Sequence, residues 1–331
     1  MYAKNKIVSI GPLPSFVMDR LGEFGEVVCV PDASRQATLE VLDDSVILLI
    51  PRGSVLVDAE ILDRVPRLVG IARTGVGYDT VDIAAATKRR IPVLYTPGAM
   101  TGAVAEHTLA LMLAAVKRLS FWRDRLLAED WEARYRERSG DLEGTTVGII
   151  GYGRIGRRVR QLLRPFACPV LADDPYIDHE QFRNDEVEFV DLETILRRSR
   201  ILTLHVPLTE ETRGMIHRGN LPLLPEGAVL VNTARGAVIE SLDLLVEALD
   251  SGRLGAVALD VFPEEPPPWD HPILRHPRAF LTGHVAARSP LAQKRILETM
   301  LEDVIALLSG GRPRRDNVVN PEVWDDEEAG R

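Results

Sequence analysis

Three short stretches of the chain carry side chains able to grip an anion and move a proton. They are Asn232-Thr233-Ala234-Arg235-Gly236, then Asp260 with Glu264 and Glu265, then Gly283-His284. A guanidinium holds a carboxylate through two parallel hydrogen bonds. An imidazole exchanges protons near neutral pH, and a neighbouring carboxylate orients it and biases its charge. Each group alone has a plainer reading: a surface salt bridge for Arg235, a solvated Pro-rich loop for Glu264 and Glu265, a satisfied hydrogen-bonder for His284. Together they form a complete acid/base and anion-gripping set. Each also follows an apolar, strand-like run, and ligands of open parallel sheets sit outside the carboxyl ends of the strands.

A glycine-rich motif indicates what else binds there. Gly151-Tyr152-Gly153-Arg154-Ile155-Gly156 follows the apolar run Thr146 to Ile150 and opens the helical pattern Arg157 to Leu163. In that context the glycines permit a tight turn, let the backbone approach a pyrophosphate and let helix pack on strand. The helix N-terminus presents unpaired N–H groups to the anion. Arg154 adds positive charge. About 20 residues on, the next strand ends in Asp173-Asp174-Pro175, where Asp174 is the expected acceptor for an adenosine ribose. A carboxylate there repels a 2′-phosphate, so NAD is expected rather than NADP. A tight turn without a ligand is the alternative.

The elements that must position these groups read as two α/β series. The first has strand-like runs at Ile7 to Ile10, Val27 to Val30, Val46 to Ile50 and Leu68 to Ala72. The second has them at Thr146 to Ile150, Pro169 to Asp173, Ile201 to His205, Ala228 to Asn232, Ala256 to Asp260 and Ala279 to Thr282. Ala103 to Val116 is apolar, Ala-rich and free of Gly and Pro, which predicts a buried helix carrying His107. Phe121 to Arg138 mixes Trp122, Trp131 and Tyr135 with many charges and suits an exposed arm, either packing on its own chain or forming a subunit interface. A last helix runs from Pro290 to about Leu308, and Asp325 to Glu328 read as a solvated end.

Composition bounds the rest. With 331 residues, 45% of them apolar, the chain is globular and long enough for about two domains. Its 40 basic against 49 acidic residues give a net charge of -9, so no nucleic-acid partner is expected. No apolar run approaches the roughly 20 residues that span a bilayer, so no membrane partner is expected. Two cysteines, Cys29 and Cys168, and a polar start at Met1 to Lys6 point to the cytoplasm. No Cys/His set has metal spacing, so no catalytic metal is expected. His179, His217, His271 and His276 lie in polar segments and read as solvent histidines. Arg52 and Arg73 follow apolar runs and read as ordinary salt bridges, with a clamp on a second anionic group as the alternative.

With these motifs in view the sequence resembles the D-isomer-specific 2-hydroxyacid dehydrogenases, among them glyoxylate/hydroxypyruvate reductases and short phosphoglycerate dehydrogenases. The resemblance rests on Gly151 to Gly156, His205-Val206-Pro207-Leu208-Thr209, Asn232 to Gly236, Leu259-Asp260-Val261-Phe262 with Glu265-Pro266, and His284. It extends to Thr74-Gly75-Val76-Gly77-Tyr78-Asp79, Val104-Ala105-Glu106-His107 and Asn317-Val318-Val319-Asn320-Pro321. It implies two doubly wound parallel-sheet domains: a Rossmann NAD-binding domain, 105–288, inserted into a flavodoxin-like substrate domain, 1–104 with 289–331. The implied activity is hydride transfer between a nicotinamide and C2 of a small D-2-hydroxy or 2-oxo acid, in a homodimer whose arm is Phe121 to Gly140.

The resemblance carries Arg235 over as the clamp on substrate carboxylate and carbonyl, His284 as acid/base and Glu265, ahead of Glu264, as its partner. Val76 and Gly77 are implied at the substrate carboxylate. Arg154, Ile155, Asp174, His205, Val206, Pro207, Thr233, Ala234, Arg235 and Asp260 are implied at the cofactor. Two positions depart from the family pattern: Gly283 stands where proline is usual, and Tyr95 where a small polar residue is common. Glu265 argues against formate as substrate and Val76 against phosphite. An NAD(H)-sensing corepressor with little turnover is the competing class.

Overall fold

The computed structural model describes residues 5–32, 34–53 and 55–325. The start at 1–4 and the acidic residues 326–328 lie outside the described residues. The chain divides into two compact units, Met1–Met100 with Pro290–Arg331, and Thr101–Ser289. The cut falls at the N-terminus of a helix rather than at the expected residue 104, because that helix packs against a helix and three strands of the second unit.

The first unit holds strands β1 (Lys6–Ile10), β2 (Glu26–Val30), β3 (Val46–Pro51), β4 (Gly70–Ala72) and β5 (Val93–Leu94). All pair in parallel, in the order β2-β1-β3-β4-β5, the flavodoxin-like winding. Every residue of β3 is buried, as a continuous apolar run requires when helices cover both faces of a sheet. Between the strands run α1 (Ser15–Gly22), α2 (Arg35–Val41), α3 (Ala59–Asp63) and α4 (Ile83–Lys88). Three of these start on side-chain caps: Ser34, Asp58 and Asp82 accept from the N–H groups of Ala37, Ile61 and Ala85.

The second unit opens with α5 (Thr101–Val116), followed by α6 (Leu119–Leu127) and α7 (Ala133–Arg136). Its strands are β6 (Val147–Ile150), β7 (Val170–Asp173), β8 (Glu188–Phe189), β9 (Ile201–Leu204), β10 (Ala228–Asn232), β11 (Leu254–Leu259) and β12 (Ala279–Leu281). The helices between them are α8 (Arg154–Leu163), α9 (Leu192–Arg198) and α10 (Leu242–Asp250). The parallel sheet runs β12-β11-β10-β9-β6-β7-β8. Strand order therefore reverses between β6 and β9, and the loops following these two strands flank the crevice where such sheets bind ligands.

Helix α11 (Pro290–Leu308) belongs to the first unit, where Leu297, Met300, Leu301 and Val304 join Ile7, Leu48 and Ile50 in one core. Two strands had no counterpart in the sequence reading: β5 and β8 are two residues each, too short to show any alternation. The expected arm forms α6 and α7, with Leu126, Leu127, Trp131 and Tyr135 each at least 60% exposed.

Candidate active site

The chain turns out of β6 at Gly151, whose φ of +89° suits only glycine, and a Cβ there would lie 2.7 Å from the His205 carbonyl group. At Gly156 a Cβ would lie 2.2 Å from the Gly151 carbonyl oxygen, so α8 can approach the strand only without one. Gly153 differs: a Cβ there meets no protein atom within 4 Å. Internal packing thus accounts for two of the glycines, while the third leaves the outer side of the turn open, where a pyrophosphate fits. Gly153 caps α8 with no side-chain hydrogen bond, which leaves the first N–H groups of the helix for an anion.

Asp174 braces this turn. Its Oδ2 accepts from the Tyr152 N–H at 2.8 Å and its Oδ1 from the Tyr176 N–H at 3.1 Å, and each oxygen keeps a lone pair for a ribose hydroxyl. Burial, then the adjacent charges of Asp174 and Asp191, push the Asp173 carboxyl up, so of the two acids Asp174 is the better anionic acceptor. His205 closes the far side through its backbone, its N–H donating to the Ile150 carbonyl at 2.7 Å. Burial pushes its imidazole down to about 3, so the ring is neutral at pH 7. The turn, the acid and the bare helix end together fit a dinucleotide.

The remaining groups come from the ends of β10, β11 and β12. Fully buried Asn232 shapes the loop after β10: its Oδ1 accepts from the Ala234 N–H at 3.0 Å and its Nδ2 donates to the Arg235 carbonyl at 2.9 Å. A Cβ at Gly236 would lie 1.9 Å from the Phe262 carbonyl carbon, so this loop lies directly on the loop after β11. In that second loop the Phe262 N–H donates to Glu265 Oε1 at 3.1 Å, and Glu265 Oε2 faces His284 Nδ1 at 2.7 Å. Glu265, not Glu264, is the carboxylate on the ring. With Nδ1 committed to Glu265, Nε2 is the nitrogen left for chemistry.

The charges follow from this geometry. The hydrogen bond that His284 donates to Glu265 raises the His284 pKa above its ordinary 6.5, against burial, which lowers it. On Glu265 burial pushes upward, but the hydrogen bond and charge of His284 outweigh it and the net direction is down. Arg235 lies close enough to depress both groups. Asp260 is buried beneath: its carbonyl accepts from the His284 N–H at 2.6 Å, and its carboxylate accepts from Val285 N–H and Ala286 N–H, each at 2.9 Å.

One unit thus gathers Gly151, Gly153, Arg154, Ile155, Gly156, Asp174, His205, Val206, Pro207, Thr233, Ala234, Arg235, Asp260, Glu265 and His284 at or after strand ends. Val76 and Gly77 belong to the other unit, in the loop after β4. There Arg73 donates from Nε to the Gly77 carbonyl at 2.9 Å and from Nη1 to the Pro51 carbonyl at 2.8 Å. Arg52 donates to the Pro12 carbonyl. Both arginines therefore brace backbone carbonyls.

His271 and His276 correct the sequence reading. Each accepts a backbone N–H at Nδ1 and faces Asp243 or Asp250 at Nε2, with side chains only 15% and 10% exposed. They are turn-fixing groups rather than solvent histidines, because an imidazole two residues ahead of an N–H can act as a cap. Thr282 and His107 went unrecognised as neighbours of the site, and their adjacency comes only from packing α5 on the sheet. Among the described residues no cluster of three or more His, Cys, Asp or Glu side chains is arranged to hold a metal ion.

Residues 109–286 match the family model of the D-isomer specific 2-hydroxyacid dehydrogenase NAD-binding domain. The D-3-phosphoglycerate dehydrogenase of Archaeoglobus fulgidus is 37% identical over 275 residues, 83% of this chain and 52% of that protein. The chain thus spans about half the length of this relative. The glyoxylate reductase of Thermofilum pendens is 38% identical over 275 residues, 81% of this chain and 79% of that protein. Among solved structures, D-lactate dehydrogenase from Aquifex aeolicus complexed with NAD and lactic acid superposes with a TM-score of 0.85 at 28% identity, covering 95% of this chain and 99% of that one. The chain belongs to the D-isomer specific 2-hydroxyacid dehydrogenase family.

Proposed function

We propose that the protein is an NAD-dependent oxidoreductase that interconverts a small 2-oxo acid and its D-2-hydroxy acid. The observation that carries this is the His284 Nδ1 to Glu265 Oε2 contact of 2.7 Å beside Arg235, at the carboxyl edge of the same parallel sheet as the glycine turn. Bound NAD supplies the hydride donor or acceptor. Arg235 grips the substrate carboxylate and polarises the carbonyl, an electrostatic role aimed at the developing alkoxide. His284 Nε2 donates a proton to that oxygen during reduction and takes it back during oxidation. Arg52 and Arg73 already bond backbone carbonyls, which favours an unphosphorylated acid.

The exposed Leu126, Leu127, Trp131 and Tyr135 of the arm support a homodimer, since apolar side chains clustered on one segment are a common interface signature. Cys29 and Cys168, both free thiols, support a cytoplasmic location.

The test is NADH oxidation at 340 nm with glyoxylate, hydroxypyruvate, pyruvate, 2-oxoglutarate and 3-phosphohydroxypyruvate. Turnover of an unphosphorylated acid, with the phosphorylated one slower, is expected, and His284→Ala should lower kcat by about 100 to 10,000-fold. Tight NADH binding without turnover on any of the five would overturn the reading.

A further inference from the structure

Helix α5 meets the strand end that leads into the catalytic loop through His107. His107 Nε2 lies 2.9 Å from Thr282 Oγ1 and 3.5 Å from Asp260 Oδ1, and Thr282 Oγ1 donates to Asp260 Oδ1 at 2.6 Å. All three residues belong to the second unit. The assignment of protons is forced by counting them. A threonine hydroxyl has one hydrogen and two lone pairs. Its hydrogen is committed to the carboxylate of Asp260, so toward His107 it offers only a lone pair, and the ring nitrogen facing it must carry the hydrogen.

We propose that His107 is a positioning residue for His284: as the Nε2–H tautomer it donates to Thr282 and, through that hydroxyl, fixes the carboxylate that holds the catalytic loop. This rests on the acid/base role given to His284 above. The chain of contacts is short and complete. Asp260 accepts from the backbone N–H groups of Val285 and Ala286, and its carbonyl accepts from that of His284, so the segment 284–286 hangs on this one residue. His284 has φ +55°, in the left-handed region that non-glycine residues avoid, and needs such an anchor to stay there. Without a donor from α5, the Thr282 hydroxyl can rotate away and Asp260 loses one of its three hydrogen bonds. The next residue on the helix acts in parallel: Thr108 Oγ1 lies 2.8 Å from Thr233 Oγ1, two residues before Arg235. Adjacent positions of one helix thus touch both loops that carry the reacting side chains.

Two measurements on the full chain test this. In the first, imidazole nitrogen shifts are read by NMR, with His107→Gln identifying the His107 signals. The Nε2–H tautomer is expected, and an Nδ1–H tautomer overturns the proposal whether or not the protein turns over any oxo acid. In the second, kinetics are measured on the best substrate of the parent protein. His107→Gln, which keeps a donor at the Nε2 position, should stay within about 2-fold of the parent kcat. His107→Phe and Thr282→Val should each lose about 10-fold in kcat with KM for NADH unchanged, the scale of a slightly misplaced reacting group. Thr282→Ser should restore most of it, and the Phe/Val double variant should be no slower than the worse single one. Equal losses in the Gln and Phe variants, no loss in His107→Phe, or multiplicative losses in the double variant overturn the proposal. Should His107→Phe fail to fold, Thr282→Val against Thr282→Ser gives the same comparison. A parent protein without turnover on any acid refutes the functional reading and leaves the tautomer to decide this one.

Discussion

The turn at 151–156 and the loop at 283–287 lie at the ends of strands of one sheet, yet they are held by opposite means. The glycine turn is fixed by what cannot be added: Gly151 and Gly156 are pressed against the backbone of His205 and of Gly151 itself. The catalytic loop is fixed by what must be present, namely one buried acid that accepts from Thr282, Val285 and Ala286 and keeps His284 in a left-handed conformation. Steric fixation is insensitive to protonation and rigid. Electrostatic fixation leaves the imidazole free to gain and lose a proton while its backbone stays put. A cofactor needs the first, an acid/base group the second.

The largest expected difference comes from breaking each device in turn. Gly156→Ala puts a Cβ where the Gly151 carbonyl oxygen stands 2.2 Å away, and backbone on both sides has no room to move. We expect a loss of about 3 kcal/mol in stability by denaturant unfolding, with NADH binding lost alongside. Asp260→Asn keeps the shape but turns an amide NH2 toward at least one of three donors, which costs about 2 kcal/mol. Here kcat should fall by more than NADH affinity does in the folded fraction. If both variants lose cofactor binding and turnover together, the two loops are not separately held.

A smaller effect sharpens the electrostatic half. Because Glu265 raises the His284 pKa, the falling limb of the reduction rate should lie above pH 6.5, and the rising limb of oxidation should mirror it. Glu265→Gln should move both limbs to lower pH, read from kcat/KM profiles in the two directions. The same pair contributes to stability with a defined sign. The share tied to the raised His284 pKa is present below its unfolded value and disappears as pH rises through the folded one. The share tied to the lowered Glu265 pKa is present above its unfolded value and disappears as pH falls through the folded one. The side chains are 51% and 38% exposed, so this contribution is small, and the shifted limb is the clearer readout.

These two modes of fixation also explain what the sequence discloses. A glycine forced by sterics is visible as a residue type at a fixed offset, so Gly151 and Gly156 are readable in one dimension, and Gly153 and the acid at Asp174 are readable by their spacing from them. The strands β1, β3, β6 and β10 are equally plain, being apolar runs between polar segments. Asp260 is visible as an acid after a strand, but its grip on two backbone N–H groups has no sequence signature, because any residue supplies an N–H. His107 faces Thr282 only because α5 packs across the sheet, and a separation of 175 positions along the chain hides the contact. The edge strand β5 is two residues long and depends on Asn320, whose side chain accepts from the Val93 N–H at 2.8 Å and donates to the Ile91 carbonyl at 3.0 Å. Nothing local to Val93 and Leu94 announces it.

The smallest expected effect separates packing from ligand contact. Gly153 and Gly283 share one property: a Cβ on either would meet no protein atom within 4 Å, and neither has a positive φ. Alanine should therefore leave the stability of both within about 1 kcal/mol of the parent, slightly raised if anything, because alanine narrows the unfolded ensemble. Binding should distinguish them. Gly153 caps the helix whose first N–H groups we propose for the pyrophosphate, so Gly153→Ala should weaken NADH binding by about 10-fold, roughly 1.4 kcal/mol, as measured by fluorescence titration. Gly283 has open space where a Cβ would stand and caps no helix, so Gly283→Ala should change NADH affinity and kcat by less than about 2-fold, well under 1 kcal/mol. Equal weakening in the two variants would mean that the open side of the glycine turn is ordinary solvent-facing surface, and the claim that Gly153 leaves room for the cofactor would fail.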